Sequence, residues 1–213
     1  SEPGGHGLAR PHPKPPSWMA VDARQDIVRR WDQRYLKGAS PREPSPLLVE
    51  SAHLLPTVGR ALDVAMGAGR HALFLAARGL EVIGVDISPV AVEICRLEAE
   101  RLGLPITAIC ADVTTYPIPQ EAFDVVLDFY FLERELCPRL EEALRPGGLL
   151  FFETFTTAQL ALGWGPRNPH YLLRPGELPS LFPHLEPLLY REGLIHHGPR
   201  PTAIASLIAR RPS

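Results

Sequence analysis

Asp63 and Asp86 each end an apolar run, about twenty residues apart. The glycine turn Gly67-Ala68-Gly69 lies between them, and Arg70-His71 opens the helical stretch that follows it. Carboxylates at two neighbouring strand tips, with a glycine turn that lets backbone approach closely, suit a ligand with a cation at one end and a ribose at the other. Asp86 is expected to accept both ribose hydroxyls, with Ile87 against the adenine. Asp112, beside Val113, lies where an acid can accept from the adenine amino group. Each acid also has a plainer reading. Asp86 begins an Asp-Ile-Ser-Pro turn that caps a helix, and Asp112 is a solvated strand end.

Two nucleotide ligands compete for this segment. Gly67 to Ala72 satisfies GxGxx(G/A), and Asp86 stands where a dinucleotide site keeps its ribose acid, so an NAD-dependent oxidoreductase must be weighed. Asp63 argues against it. A pyrophosphate would lie against the turn, and a carboxylate there would repel it. S-adenosyl-L-methionine places an ammonium and a sulfonium in the same region, which an acid stabilises. Its carboxylate can still use the helix N-terminus at Arg70 and His71. The expected binding set is therefore Asp63, Ala65, Gly67, Gly69, Arg70, His71, Asp86, Ile87, Asp112, Val113 and Asp128.

Asp128-Phe129-Tyr130-Phe131 follows the fourth strand, where a bound methyl donor would face its acceptor, and residues 129–132 either line that pocket or pack the core. It lacks the prolines of the (Asp/Asn)-Pro-Pro-Tyr found in methyltransferases of adenine or glutamine amino groups. His196, His197 and Arg200 lie in the last turn of the chain, and histidine titrates where it can take a proton near neutrality. His170, Tyr171 and Arg174 fall in a connection over 156–175, long enough for an active-site lid and equally readable as a solvated loop.

These residues need elements to hold them. Strands are expected at Arg60–Ala65, Glu81–Asp86, Ile106–Ala111, Phe123–Phe129, Leu149–Phe155, Pro187–Ile195 and Thr202–Ala209. Helices are expected at Trp18–Lys37, Leu47–Leu55, His71–Arg78, Pro89–Leu102, Glu135–Leu144 and Glu177–Phe182, with Ser88 and Pro89 as cap and first residue of the fourth. Alternation of strand and helix argues for an α/β fold. The sheet is Rossmann-like, seven-stranded and mostly parallel, with helices on both faces. The connection His-His-Gly-Pro-Arg-Pro is too short for anything but an antiparallel hairpin at the end.

The 213 residues, 45% of them hydrophobic, suffice for one core over 18–213; residues 1–17, rich in proline and glycine, read as a disordered leader or linker. A net charge of −2 gives no attraction to nucleic acid or to anionic membrane. There is no apolar run of the ~18 residues a membrane span needs and no signal-peptide core, so a cytoplasmic monomer or homodimer is expected. Three scattered cysteines without CxxC spacing read as buried free thiols, with no metal.

Residues 47–211 resemble the class I methyltransferases. Three blocks resemble tellurite-resistance-type methyltransferases more narrowly. They are Trp31-Asp32-Gln33-Arg34-Tyr35 with Pro41–Leu48, then Gly69-Arg70-His71 with Ala72–Arg78, and Pro175-Gly176-Glu177-Leu178 leading to Tyr190-Arg191-Glu192. That resemblance implies a catalytic His and Arg near the last hairpin, matched by His196 or His197 and by Arg200. Two positions depart from it: Ala65 replaces the first glycine of DxGxGxG, and His71 stands where Asn is usual. The expected activity is in-line methyl transfer to a small-molecule acceptor. The resemblance alone points to a thiol or chalcogen oxyanion. O- or N-methylation of a metabolite is the alternative within the class, and a non-catalytic adenosylmethionine-binding module the alternative outside it.

Overall fold

The computed structural model describes residues 17–38, 41–196 and 198–213. The leader expected over 1–17 falls outside them, apart from Ser17. The chain order is α1 (Ser17–Leu36), α2 (Pro46–Glu50), β1 (Arg60–Val64), α3 (Arg70–Ala77), β2 (Glu81–Asp86), α4 (Pro89–Leu102), β3 (Ile106–Cys110), β4 (Phe123–Phe129), α5 (Cys137–Ala143), β5 (Leu144–Phe155), α6 (Glu177–Ser180), β6 (Glu186–Ile195) and β7 (Thr202–Arg210).

Local chemistry sets several of these bounds. Ser88 Oγ accepts the Ala91 N–H (3.1 Å), Pro89 fills the first turn, and Gly103 takes a left-handed φ of 65° to end α4. The sheet runs β3-β2-β1-β4-β5-β7-β6, and β7 alone is antiparallel to its neighbours. The direction of strand progression reverses between β1 and β4. In such a sheet the crevice for a ligand opens beyond the carboxyl ends of those two strands.

Alternate strand residues feed two cores. Leu62, Val64 and Val126 meet Leu136, Leu140, Leu178 and Phe182 on one face. Ala61, Val125, Leu127 and Phe129 meet Leu47, Ala72 and Leu75 on the other. The sheet is thus covered on both sides, as parallel strands require.

Several expected bounds are corrected. The fifth helix stops at Ala143, because Leu144 already pairs with Phe123; a bulge over the proline and glycines then returns the strand to register at Leu149 opposite Val125. The second splits after Glu50 into a 3-10 turn over Ala52–Leu54, and the last ends at Ser180. β1 closes at Val64, since Ala65 adopts φ 52°. Cys95 and Cys137 are buried as expected, but Cys110 is exposed, because β3 is an edge strand. No described helix is long and apolar enough to cross a membrane.

Candidate functional site at the carboxyl ends of β1 and β4

The turn after β1 is built on left-handed backbone. Ala65, Gly67 and Gly69 have φ of 52°, 60° and 91°. A Cβ on Gly67 would come 2.5 Å from the Tyr35 hydroxyl, and one on Gly69 would strike the Cys95 sulfur of α4. Only glycine meets both demands there. We expect Gly69→Ala to destabilise the fold by roughly 2–4 kcal/mol, from overpacking plus backbone strain. Thermal unfolding would read it, and an unchanged midpoint would count against the close approach of α4. Ala65 carries similar backbone strain without a glycine's freedom, a local cost that the surrounding turn sustains.

Asp86 stabilises this turn directly. Its Oδ2 accepts the Gly67 N–H and its Oδ1 accepts the Ser88 N–H, both at 2.9 Å. A carboxylate has about four lone-pair sites, so two remain for a ligand. Burial raises the Asp86 pKa, and the two amides and that of Ile87 act against it. Ile87 is half-buried, with its carbonyl facing the Cys110 thiol at 3.7 Å. Asp112 accepts from the Thr114 amide and hydroxyl (2.9 and 2.6 Å) and lies 3.8 Å from Arg24 of α1. Val113 is 5% exposed and belongs to the core beneath.

Asp63 is 1% exposed, and its Oδ2 has no hydrogen-bond partner among the described residues. Burial pushes its pKa up to about 8; Arg70 and the Ala72 amide pull it down, and Asp86 pushes it further up. A buried carboxyl with an idle oxygen is costly unless a donor or cation arrives. Arg70 is itself shifted down by burial, offset by its attraction to Tyr130, Asp63, Glu153 and Tyr35.

β1 pairs with β4 so that Val64 lies opposite Asp128 and Leu127 opposite Asp63, which sends the two carboxylates to opposite faces of the sheet. Asp128 is also 1% exposed with an idle Oδ1, and burial, then Asp63, raises its pKa well above the usual range.

His71 is buried and faces the protein. Its Nε2 accepts the Ser45 N–H (3.0 Å), and its ring stacks on Phe129 at 4.1 Å. Burial, then Arg70, holds its pKa well below 6.5, so the ring is neutral. Ser45 leads to a residue that sequence reading missed. Glu153, 3% exposed on β5, accepts from the hydroxyls of Ser45 (2.9 Å) and Tyr130 (2.9 Å) on Oε1 and of Ser206 (2.7 Å) on Oε2. An acid inside the apolar run Leu149–Phe155 was the available signal, since a buried polar group is the informative exception.

From Tyr130 an aromatic path leads to the last hairpin. Its ring lies 5.0 Å from Phe155, Phe155 lies 6.2 Å from Trp164, and the Arg200 guanidinium covers Trp164 at 4.2 Å. The hairpin stands at the carboxyl edge as expected. His196 is exposed there, and His197 lies outside the described residues. The 156–175 connection is fastened to the fold at several points. The Thr157 N–H donates to the Leu173 carbonyl, the Leu173 N–H donates to the Phe155 carbonyl at the end of β5, Arg134 donates to the His170 and Leu172 carbonyls, and Trp164 Nε1 donates to Pro201 O. His170, Tyr171 and Arg174 are exposed.

Helix α1 supplies three further rim contacts. Arg24 reaches Asp112, Asp32 accepts from Ser88 Oγ (2.5 Å), and Tyr35 lies against Gly67. These touch the loops after β3, β2 and β1 in turn. Periodicity marks only Tyr35, one of the apolar positions of the helical pattern; the polar Arg24 and Asp32 carry no packing signal.

Residues 61–148 match a family model described as a methyltransferase domain. A ubiquinone biosynthesis O-methyltransferase of Idiomarina loihiensis is 32% identical over 139 residues, covering 56% of this chain and 57% of the relative. The chain therefore spans little more than half the length of that relative. Two solved structures share the fold. One is 1,6-didemethyltoxoflavin-N1-methyltransferase of Burkholderia thailandensis with bound S-adenosylhomocysteine, at TM-score 0.67 and 21% identity over 99% of this chain and 94% of that one. The other is TehB of Haemophilus influenzae, at TM-score 0.68 and 21% identity over 79% of this chain and 62% of that one.

Proposed function

We propose that this chain, a member of the class I S-adenosylmethionine-dependent methyltransferases, methylates a hydroxyl on a small, planar aromatic acceptor. The observation that carries this is the aromatic path Tyr130–Phe155–Trp164 under Arg200, beginning at the residue that shares Arg70 with Asp63. Flat rings pack on such a wall by offset or edge contact. The name of the 32% identical relative, an O-methyltransferase, agrees with a hydroxyl acceptor.

The residues fit the cofactor. Asp63, with its idle buried oxygen, would take the ammonium, and the first turn of α3 at Arg70 and His71 the carboxylate. Asp86 would take the ribose hydroxyls, and Ile87 with Asp112 and Val113 the adenine. Bound there, S-adenosylmethionine supplies an electrophilic methyl group already activated by the sulfonium charge. The protein's own task is then alignment and exclusion of water. We leave Asp128 out of this set, since the β4 register turns its side chain to the other face from Asp63.

Arg200 favours a second reading. An exposed guanidinium at the hairpin could hold an anionic acceptor such as a chalcogen oxyanion by paired hydrogen bonds. Incubating the protein with labelled adenosylmethionine and, separately, catechol, a simple thiol and tellurite separates the two. Methylated catechol is the expected product. Label transferred only to tellurite or to the thiol would overturn the aromatic reading.

A further inference from the structure

We propose that Tyr130 and Glu153 form a proton relay for the methyl acceptor, with Tyr130 the residue that touches it. This rests on the methyltransferase reading above and adds the group that takes the acceptor's proton.

Tyr130 stands in a costly conformation. Its φ is 62°, a region that bulky side chains rarely adopt. Strict alternation along β4 would put it on the face opposite Phe129. Instead both pack with the same cluster on the α3 side of the sheet. The turn thus brings the Tyr130 hydroxyl to Glu153, and the Tyr130 N–H donates to the Glu153 carbonyl at 2.7 Å. Strain of this kind survives only where the surroundings hold it.

Donor and acceptor accounting gives the direction of the relay. Glu153 Oε1 receives the Ser45 and Tyr130 hydroxyls, and Oε2 receives Ser206. The proton of Tyr130 is therefore committed to the carboxylate, and the lone pairs on Tyr130 Oη remain to accept. Tyr130 is half-buried while Glu153 is sealed, so an incoming O–H meets the tyrosine and not the acid. Arg70 offers a positive charge to both.

The step balances. The acceptor oxygen forms its bond to the methyl carbon as the carbon–sulfur bond breaks, and sulfur keeps that electron pair. The acceptor's proton passes to Tyr130 Oη while the tyrosine's own proton passes to Glu153 Oε1. His196 and Arg200 are left at the rim, free to bind the remote end of the acceptor.

The test uses the full chain with catechol as probe. Tyr130→Phe keeps the ring and removes the hydroxyl; Glu153→Gln keeps the shape and the acceptor oxygen toward Ser45 and Tyr130 but cannot take a proton. We expect both to lower kcat for catechol by ~10²–10⁴-fold. KM should change far less, and adenosylmethionine affinity by calorimetry should stay within about twofold. Tyr130→Phe should also weaken catechol binding to the complex with S-adenosylhomocysteine. A wild-type kcat in Glu153→Gln with cofactor affinity intact would make the acid a strut and overturn the relay. An unchanged kcat in Tyr130→Phe would do the same. If the wild type binds cofactor but neither binds nor methylates catechol, the aromatic-acceptor reading falls and takes the relay with it. Failure to bind cofactor at all would instead overturn the assignment of the cofactor site.

Discussion

Asp63→Asn should weaken adenosylmethionine binding by roughly 3–5 kcal/mol, the usual result of leaving one buried charge without its partner. That is two to three decades or more in affinity, ample for calorimetry. The variant should nevertheless fold. At pH 8 it should melt no lower than the wild type without cofactor, because an amide carries no charge to desolvate at a position 1% exposed. Loss of binding without loss of stability separates a ligand contact from a structural one. If affinity is retained, the idle oxygen of Asp63 does not face the cofactor's cation.

The second large effect is a dependence on pH that the cofactor should reverse. In the folded protein Asp63 holds its proton up to about pH 8, against 3.8 ordinarily, so between those values folding takes up a proton and stability falls as pH rises. Asp128, raised well above its ordinary range by burial, acts in the same direction. His71 acts oppositely. Its pKa is depressed, so its contribution is present above 6.5 and is lost as pH falls. From pH 6.5 to 8 the acids act without it, and each can remove up to about 1.4 kcal/mol per pH unit. A cation beside Asp63 favours the carboxylate. Cofactor binding should therefore release a proton there and strengthen by up to about tenfold per pH unit over that window. Calorimetry in buffers of different ionisation heat would count the proton. An affinity flat from pH 6.5 to 8 would contradict the linkage.

The bounds of β2, α4 and β4 could be read from sequence because local signals and burial agree there. Ser88-Pro89 and Gly103 punctuate α4, and Phe123–Phe129 is a near-continuous apolar run that the fold buries on both faces. Where a tertiary pairing overrode the local signal, the reading failed: Leu144 belongs to a strand because Phe123 lies beside it. In the site, the glycine turn and the tips of β1 and β2 were legible because a motif fixes both residue and spacing. The face on which Asp128 leaves β4 was not legible, because one residue of register inverts the face of a side chain and register is invisible until strands are paired. Glu153 and Ser45 were missed since the contact joins residues 108 apart. The contacts of Arg24 and Asp32 in α1 were missed because polar positions carry no packing signal.

The Glu153 carboxylate has a kinetic meaning beyond the site. It is hydrogen-bonded by Ser45, 108 residues upstream, and by Ser206, 53 residues downstream. Contacts of such separation require the long intervening loops to close, and we expect these to close after the transition state. A clasp absent from the transition state leaves the folding rate alone and governs how long the native state lasts. The carboxylate that tethers both flanks of the chain would then act as a latch on unfolding, setting the lifetime of the folded protein more than the speed with which it is made.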